Sequence, residues 1–251
     1  MAKINLVLSG GGARGIAHLG VIKALLEYGI EINQIAGVSA GSIMGALIAD
    51  GYSPDAALKI ICEQRLFSLF SPIFRRGLFS MHGLEKGLNK YIKHKTFEKL
   101  EIPLTIFATC VQNGQLVAFD KGDIVKPIIA SSSIPGLFEP VLIDGKQYID
   151  GGVINNLPIE CFMDLPLPLV AIHVNPPYIS HNLNSTMKVM SRVVELIAYR
   201  SIESRKFKTS LLIEPPRLKM FGIHDLKRAK EIFQVGYEYT KSLEEEILTL
   251  I

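Results

Sequence analysis

Gly37-Val38-Ser39-Ala40-Gly41 lies between an apolar run, Asn33-Gln34-Ile35-Ala36-Gly37-Val38, and a helix-forming run, Ser42-Ile43-Met44-Gly45-Ala46-Leu47-Ile48-Ala49-Asp50. The order predicts a strand, a sharp turn and a helix, with the serine at the corner. G-x-S-x-G in that context is a nucleophile elbow, which lifts a hydroxyl to the end of an α/β sheet. The turn holds serine in unfavourable backbone geometry, so its neighbours must be small enough for strand and helix to close up. Gly37, Ala40 and Gly41 meet that need. The pentapeptide by itself also fits a plain helix cap, a role serine fills well.

Upstream, Lys3-Ile4-Asn5-Leu6-Val7-Leu8 reads as a short strand. Ser9-Gly10-Gly11-Gly12-Ala13-Arg14-Gly15 follows, and then a helical stretch from Ile16 to Tyr28 with a broad apolar face. Consecutive glycines expose backbone N–H groups, and the helix N-terminus behind them adds partial positive charge. Such a loop cradles an anion, either a phosphate or the oxyanion of an acyl-transfer intermediate. Gly10, Gly12 and Gly15 also match G-x-G-x-x-G, so a nucleotide-binding oxidoreductase is a rival reading. That reading needs an acidic residue at the end of the next strand. Glu31 instead precedes the strand, which ends in Ser39. No Gly-Lys-Ser/Thr follows the glycines, which excludes a P-loop.

Downstream, Val141-Leu142-Ile143 and Lys146-Gln147-Tyr148-Ile149 flank Asp144-Gly145, a two-residue hairpin signature. Asp150-Gly151-Gly152 ends the returning strand beside a loop with no side chains. Asp150 is placed either to approach another loop or to bond its own backbone in a turn, and spacing leaves both open.

Taken in order, Gly10-Gly11-Gly12-Ala13-Arg14-Gly15, Gly37-Val38-Ser39-Ala40-Gly41 and Asp150-Gly151-Gly152 resemble the motifs of the patatin-like phospholipases. Ala130-Ser131-Ser132-Ser133-Ile134-Pro135-Gly136-Leu137-Phe138-Glu139-Pro140-Val141, ahead of the hairpin, adds to the likeness. The resemblance runs from about residue 4 to about residue 175 and suggests a small bacterial member. It implies a three-layer α/β/α fold and hydrolysis of lipid acyl esters. Ser39 would be the nucleophile and Asp150 its partner. Gly10, Gly11, Gly12 and Arg14 would form the oxyanion hole, with Gly37, Gly41, Gly151 and Gly152 as supporting positions. No cofactor and no metal are called for.

The implied chemistry is unusual in one respect. A serine hydroxyl needs a base to take its proton, and histidine is the common choice. An ordinary aspartate, with a pKa of about 4, is a poor base. Poor solvation would raise that value and make a Ser39–Asp150 dyad workable. A histidine triad through His173 or His224 is the alternative. It fits less well, because only one strand and one helix precede the elbow. His18 reads as packed or locally bonded, His82 and His94 as surface residues, and His181 as part of a polar loop.

The 251 residues carry 27 Lys and Arg against 24 Asp and Glu, a net charge of +3, too small to imply nucleic acid. Strand-like runs alternate with helix-like runs, predicting one domain over residues 1–251 with a mainly parallel central sheet and helices on both faces. Hairpins at Asn113-Gly114 and Asp144-Gly145 add antiparallel strands. No apolar stretch is long enough to span a membrane, and the N-terminus is too short for a secretory signal. Cys62, Cys110 and Cys161 read as reduced, buried thiols, which points to the cytoplasm.

The segment Arg65 to Phe79, with four phenylalanines and three arginines, reads either as packing on the sheet or as a lid. In the second case it would bring the protein to a membrane surface. Helices are expected over Leu183 to Phe207, with basic residues on one side, and from Asp225 to about Ile247, both read as covering helices, with a partner surface as the alternative for each. A catalytically silent regulatory protein keeping this fold is the remaining alternative.

Overall fold

The computed structural model describes residues 2–64, 71–73, 78–180, 183–203 and 208–250. β1 (Lys3–Leu8) passes through a 3-10 turn at Gly12–Ile16 into α1 (Ala17–Glu27), and β2 (Glu31–Val38) turns into α2 (Ala40–Ala49). There follow α3 (Pro54–Gln64), a small hairpin of β3 (Ser71–Ile73) and β4 (Leu78–Ser80), and α4 (His82–Tyr91). Next come β5 (Leu104–Cys110), β6 (Leu116–Phe119), α5 (Val125–Ser131), β7 (Val141–Ile143), β8 (Lys146–Asp150) and β9 (Leu169–Ile172). α6 (Thr186–Glu203), β10 (Leu211–Ile213), α7 (Ala229–Lys241) and α8 (Glu244–Leu248) complete the order.

The main sheet runs β10-β9-β1-β2-β5-β8-β7, with β6 also paired to β5. β10, β9, β1, β2 and β5 are parallel, while β8, β7 and β6 join antiparallel. This is the mainly parallel α/β sheet with hairpin strands that the alternation predicts. Parallel strands bury both faces, and the strand residues divide accordingly. Ile4, Leu6, Leu8 and Ile35 face the larger core, shared with α1, α2 and α7. Val7, Ala36, Val38 and Phe107 face a smaller one, closed by Leu157, Ile159, Phe162 and Ile202.

Register fixes where the motifs meet. Val38 pairs with Phe107 on one side of β5, and Asp150 pairs with Ala108 on the other. The strand ending at Ser39 and the strand ending in Asp150 therefore finish at the same level of the sheet. The glycine loop leaves the neighbouring end of β1, where ligands bind in open α/β sheets.

One local expectation holds and others are revised. Asp144-Gly145 closes its hairpin with positive φ at both positions, 48° and 75°, as a two-residue turn requires. The C-terminal stretch is not one helix. It begins as a 3-10 turn at Leu226–Arg228, and α7 stops at Lys241, where Ser242 Oγ donates to Tyr239 O at 2.7 Å. α8 then restarts and buries Ile247. The helix expected over Leu183 to Phe207 spans Thr186–Glu203, and residues 204–207 lie outside the described residues. Of the thiols only Cys110 is buried; Cys62 is half-buried and Cys161 exposed. Most of the Phe/Arg-rich segment, residues 65–70 and 74–77, lies outside the described residues, so the lid expectation is not addressed there.

α7 packs across α1. A Cβ on Gly20 would lie 2.8 Å from Tyr237 N, and one on Gly236 would strike Ala17 O. Alanine has the better helix propensity by about 1 kcal/mol. Gly236→Ala is nonetheless expected to destabilise the protein by about 1–3 kcal/mol through overpacking, measured by denaturant unfolding.

Candidate active site

Ser39 sits at φ 51° and ψ −123°, one of two non-glycine residues with positive φ among the described residues. Such strain costs about 1–3 kcal/mol and persists only where the surroundings enforce it. They do so from three directions. Ser39 N–H donates to Ser131 Oγ at 2.8 Å, and that hydroxyl donates to Phe107 O at 2.6 Å. Ser42 Oγ donates to Ser39 O at 2.6 Å. Behind the turn, a Cβ on Gly37 would lie 2.7 Å from Gly41 O, and one on Gly41 would lie 2.7 Å from Ser9 O. Only hydrogen fits between the elbow and β1.

Asp150 is buried at the end of β8. Its Oδ1 accepts from Gly152 N–H at 2.8 Å, and its own carbonyl accepts from Thr109 Oγ1 at 3.0 Å. The carboxyl also faces the Ser39 hydroxyl closely enough for that hydroxyl to act on its proton affinity. Both sequence options for Asp150 therefore hold at once: it bonds its own turn and approaches the elbow. Burial pushes its pKa from 3.8 up to about 6, while the donors on Ser39 and Gly152 pull the other way.

The glycine loop is tied to the loop after Asp150 by Asn156. Gly10 N–H donates to Asn156 Oδ1 at 3.0 Å, and Asn156 Nδ2 donates to Gly10 O at 3.4 Å. Asn175 Nδ2 donates to the same carbonyl at 2.6 Å. One residue earlier, the His18 Nε2 proton reaches Ser9 O at 2.8 Å, and burial lowers the His18 pKa to about 4. His18 is thus neutral and braces the loop, in line with its expected local bonding.

Two expected oxyanion donors are placed differently. The Gly10 amide is committed to Asn156. Arg14 N–H donates to Gly11 O at 3.2 Å within the 3-10 turn. Its buried guanidinium donates from Nε to Phe221 O at 2.7 Å and from a terminal nitrogen to Asn175 Oδ1 at 3.2 Å. It also stacks on the Tyr178 ring. Arg14 holds the loop from behind rather than facing the cavity. Among the described residues no group accepts from the N–H of Gly11 or Gly12, and Gly12 has φ 57°.

A cavity of about 870 Å³ opens over these groups. Gly10, Gly11, Gly12, Ser39 and Asp150 form one end, and Ile43, Leu84, Leu137, Phe138 and Val194 give it apolar walls. Gly37, Gly41 and Gly151 lie behind this surface, whereas Gly152 reaches it. Among the described residues the groups acting on the Asp150 carboxyl are Ser39 and Gly152, and no imidazole is one of them. His173 Nδ1 bonds Glu214 Oε1 at 2.6 Å. His224 is exposed and lines the cavity. His82 is exposed as expected, but His94 is held by the buried Asp50, Nδ1 to Oδ1 at 2.8 Å. His181 lies outside the described residues. No cluster of three or more His, Cys, Asp or Glu with metal-holding geometry occurs among the described residues, and none of their helices is long and apolar enough to cross a membrane.

Asn156, Asn175 and Ser131 are the residues that sequence reasoning did not single out. Asn156 left one signal, a polar side chain set between Val153-Ile154 and Leu157-Pro158 directly after Asp150-Gly151-Gly152.

The chain is similar to several known proteins. Residues 6–163 match the family model described as patatin-like phospholipase. An uncharacterized NTE family protein of Mycobacterium tuberculosis (strain ATCC 25618 / H37Rv) is 31% identical over 218 residues, covering 81% of this chain and 61% of the relative. Lysophospholipase NTE1 of Coccidioides immitis is 28% identical over 275 residues, covering 95% of this chain and 17% of its own length. The chain thus spans less than two thirds of the curated relatives it matches. VipD from Legionella pneumophila has a similar fold, with a TM-score of 0.54 at 18% identity over 96% of this chain and 66% of that one.

The site makes two stability predictions. Asn156→Ala leaves the Gly10 N–H buried and unsatisfied and is expected to cost about 1–3 kcal/mol in denaturant unfolding. Asp150 binds its proton more tightly in the folded state, so the stability it lends below about pH 4 is lost as pH rises through about 6. Above that point its ionised form costs about 3 kcal/mol. Asp150→Asn should therefore be more stable than the parent at pH 8, with the difference shrinking as the pH is lowered toward 4. Equal melting temperatures across that range would contradict the assignment.

Proposed function

The chain belongs to the patatin-like phospholipase family, and from that premise we propose that it hydrolyses lipid acyl esters through Ser39 and Asp150. The observation that carries the proposal is the meeting of a strained serine, a buried carboxyl with a raised pKa and spare backbone N–H groups at one end of an apolar cavity. The acyl chain of a lipid ester fits the apolar walls, which favour a substrate tail over a small polar ester.

The reaction proceeds in two halves. The ionised Asp150 takes the hydroxyl proton as Ser39 Oγ attacks the ester carbonyl. The carbonyl oxygen becomes an oxyanion, which the N–H groups of Gly11 and Gly12 stabilise by roughly 3–4 kcal/mol each. Collapse of the intermediate breaks the bond to the alcohol, which leaves with the proton held by Asp150. Water then enters, gives a proton to Asp150 and attacks the acyl-serine. The fatty acid departs as Ser39 recovers its hydrogen. A pKa near 6 leaves Asp150 mostly ionised at neutral pH while making it a far better base than an ordinary aspartate.

Burial of the Asp150 carboxyl in this site replaces the imidazole of a conventional triad. The nucleotide-binding reading has no comparable support, since β2 ends in the elbow serine rather than in an acidic residue. The regulatory alternative is separated by turnover.

A fluorophosphonate probe is expected to label Ser39, located by peptide mapping, and Ser39→Ala should abolish labelling. Asp150→Asn should cut kcat by at least about a thousandfold while leaving the fold intact. For the parent protein, kcat/KM should rise with pH through about 6 and then level off. Labelling at another residue, or full turnover by Asp150→Asn, would return the histidines to consideration.

A further inference from the structure

α6 is apolar on two sides. Val194 and Ala198 line the cavity, and Ile202 is fully buried in the smaller core. The helix also packs against the Gly151–Val153 turn that follows Asp150. Val189, Met190, Val193, Leu196 and Ile197 occupy the other side, each between 40% and 48% exposed. At 3.6 residues per turn these five share about a third of the helix circumference. Ile179 and Leu183, shortly before the helix in the chain, are exposed as well. An exposed apolar strip of this length on one side of a helix marks contact with protein or with lipid.

Charge indicates which. Lys188 and Arg200 are exposed on the helix, and Lys227 and Lys230 are exposed where they line the cavity. Of the acidic residues lining the same cavity, Glu195 is engaged by Arg192 and Tyr178, Glu231 by Arg228, and Asp150 is buried and held by the Gly152 N–H. Among the described residues neither Lys227 nor Lys230 makes an ion pair, so they put positive charge where the cavity meets solvent. Apolar side chains bordered by cations match a bilayer with an anionic surface.

We propose that the outer side of α6 docks on an anionic lipid bilayer, so that an acyl chain passes from the bilayer along this helix toward Ser39. The inference rests on the esterase reading for its purpose but is tested without turnover. The Ser39→Ala protein is sedimented with vesicles of phosphatidylglycerol and phosphatidylethanolamine, and separately with vesicles of phosphatidylcholine alone. It should bind the anionic vesicles more tightly. Adding Val193→Glu and Ile197→Glu should weaken that binding at least about a hundredfold. Adding Lys227→Gln and Lys230→Gln instead should narrow the gap between the two vesicle types.

With Ser39 intact, the double glutamate variant should hydrolyse a short soluble ester at the parent rate, which shows that it folds. Loss of that hydrolysis in the parent itself would count against the esterase reading and leave the docking result standing. Three outcomes overturn the docking proposal: no sedimentation with either vesicle, equal sedimentation of the glutamate variant, or an unchanged gap in the glutamine variant. A dimer in sedimentation velocity that the glutamates split also overturns it, since a second copy would then cover the face.

Discussion

One carboxamide fastens together two loops that lie 146 residues apart in the chain. Asn156 grips Gly10 by both its N–H and its carbonyl, and so sets the glycine loop against the turn that carries Asp150. The rest of the site is arranged around that clasp. Ser39 cannot relax out of its strained turn, because Ser131 and Ser42 hold its amide and carbonyl. Arg14, Asn175 and His18 hold the glycine loop from its other side. Side chains from distant elements thus hold the backbone of both loops, as preorganised charge stabilisation requires.

Burial performs two tasks with opposite consequences for stability. It removes water from around Asp150, which raises the carboxyl's affinity for a proton and makes it a useful base. The same desolvation means that the ionised form opposes folding at neutral pH. The structure offsets this with the parallel strands and the two cores they separate. A reactive group held at the cost of stability is common at functional sites.

How much was legible in the sequence varied with the range of the interaction. The elbow, the Asp144-Gly145 turn and the strand at Lys3–Leu8 were readable because their signals are local: small residues at a sharp corner, Asp-Gly between alternating runs, a short aliphatic block. Arg14 was expected to serve an oxyanion and instead points to Phe221 and Asn175, more than 150 residues away. The break between α7 and α8 was hidden because Thr240, Leu243 and Ile247 keep helical spacing across it. Basic residues on α6 were visible in the sequence. That its aliphatic residues fall on two opposite sides, one lining the cavity and one open, was not.

The sequence by itself determined the family, the mainly parallel sheet, and which serine and which aspartate to consider together. Each of these is encoded in residues adjacent in the chain, where backbone sterics and hydrophobic alternation act over a few positions. Tertiary structure alone decided that Asp150 meets Ser39, since that depends on β8 pairing beside β5 in one register. It also decided which amides remain available, because Asn156 takes the Gly10 N–H and leaves those of Gly11 and Gly12. A hydrogen bond is made by whichever partner the packed chain brings within about 3 Å, and no local pattern specifies that partner.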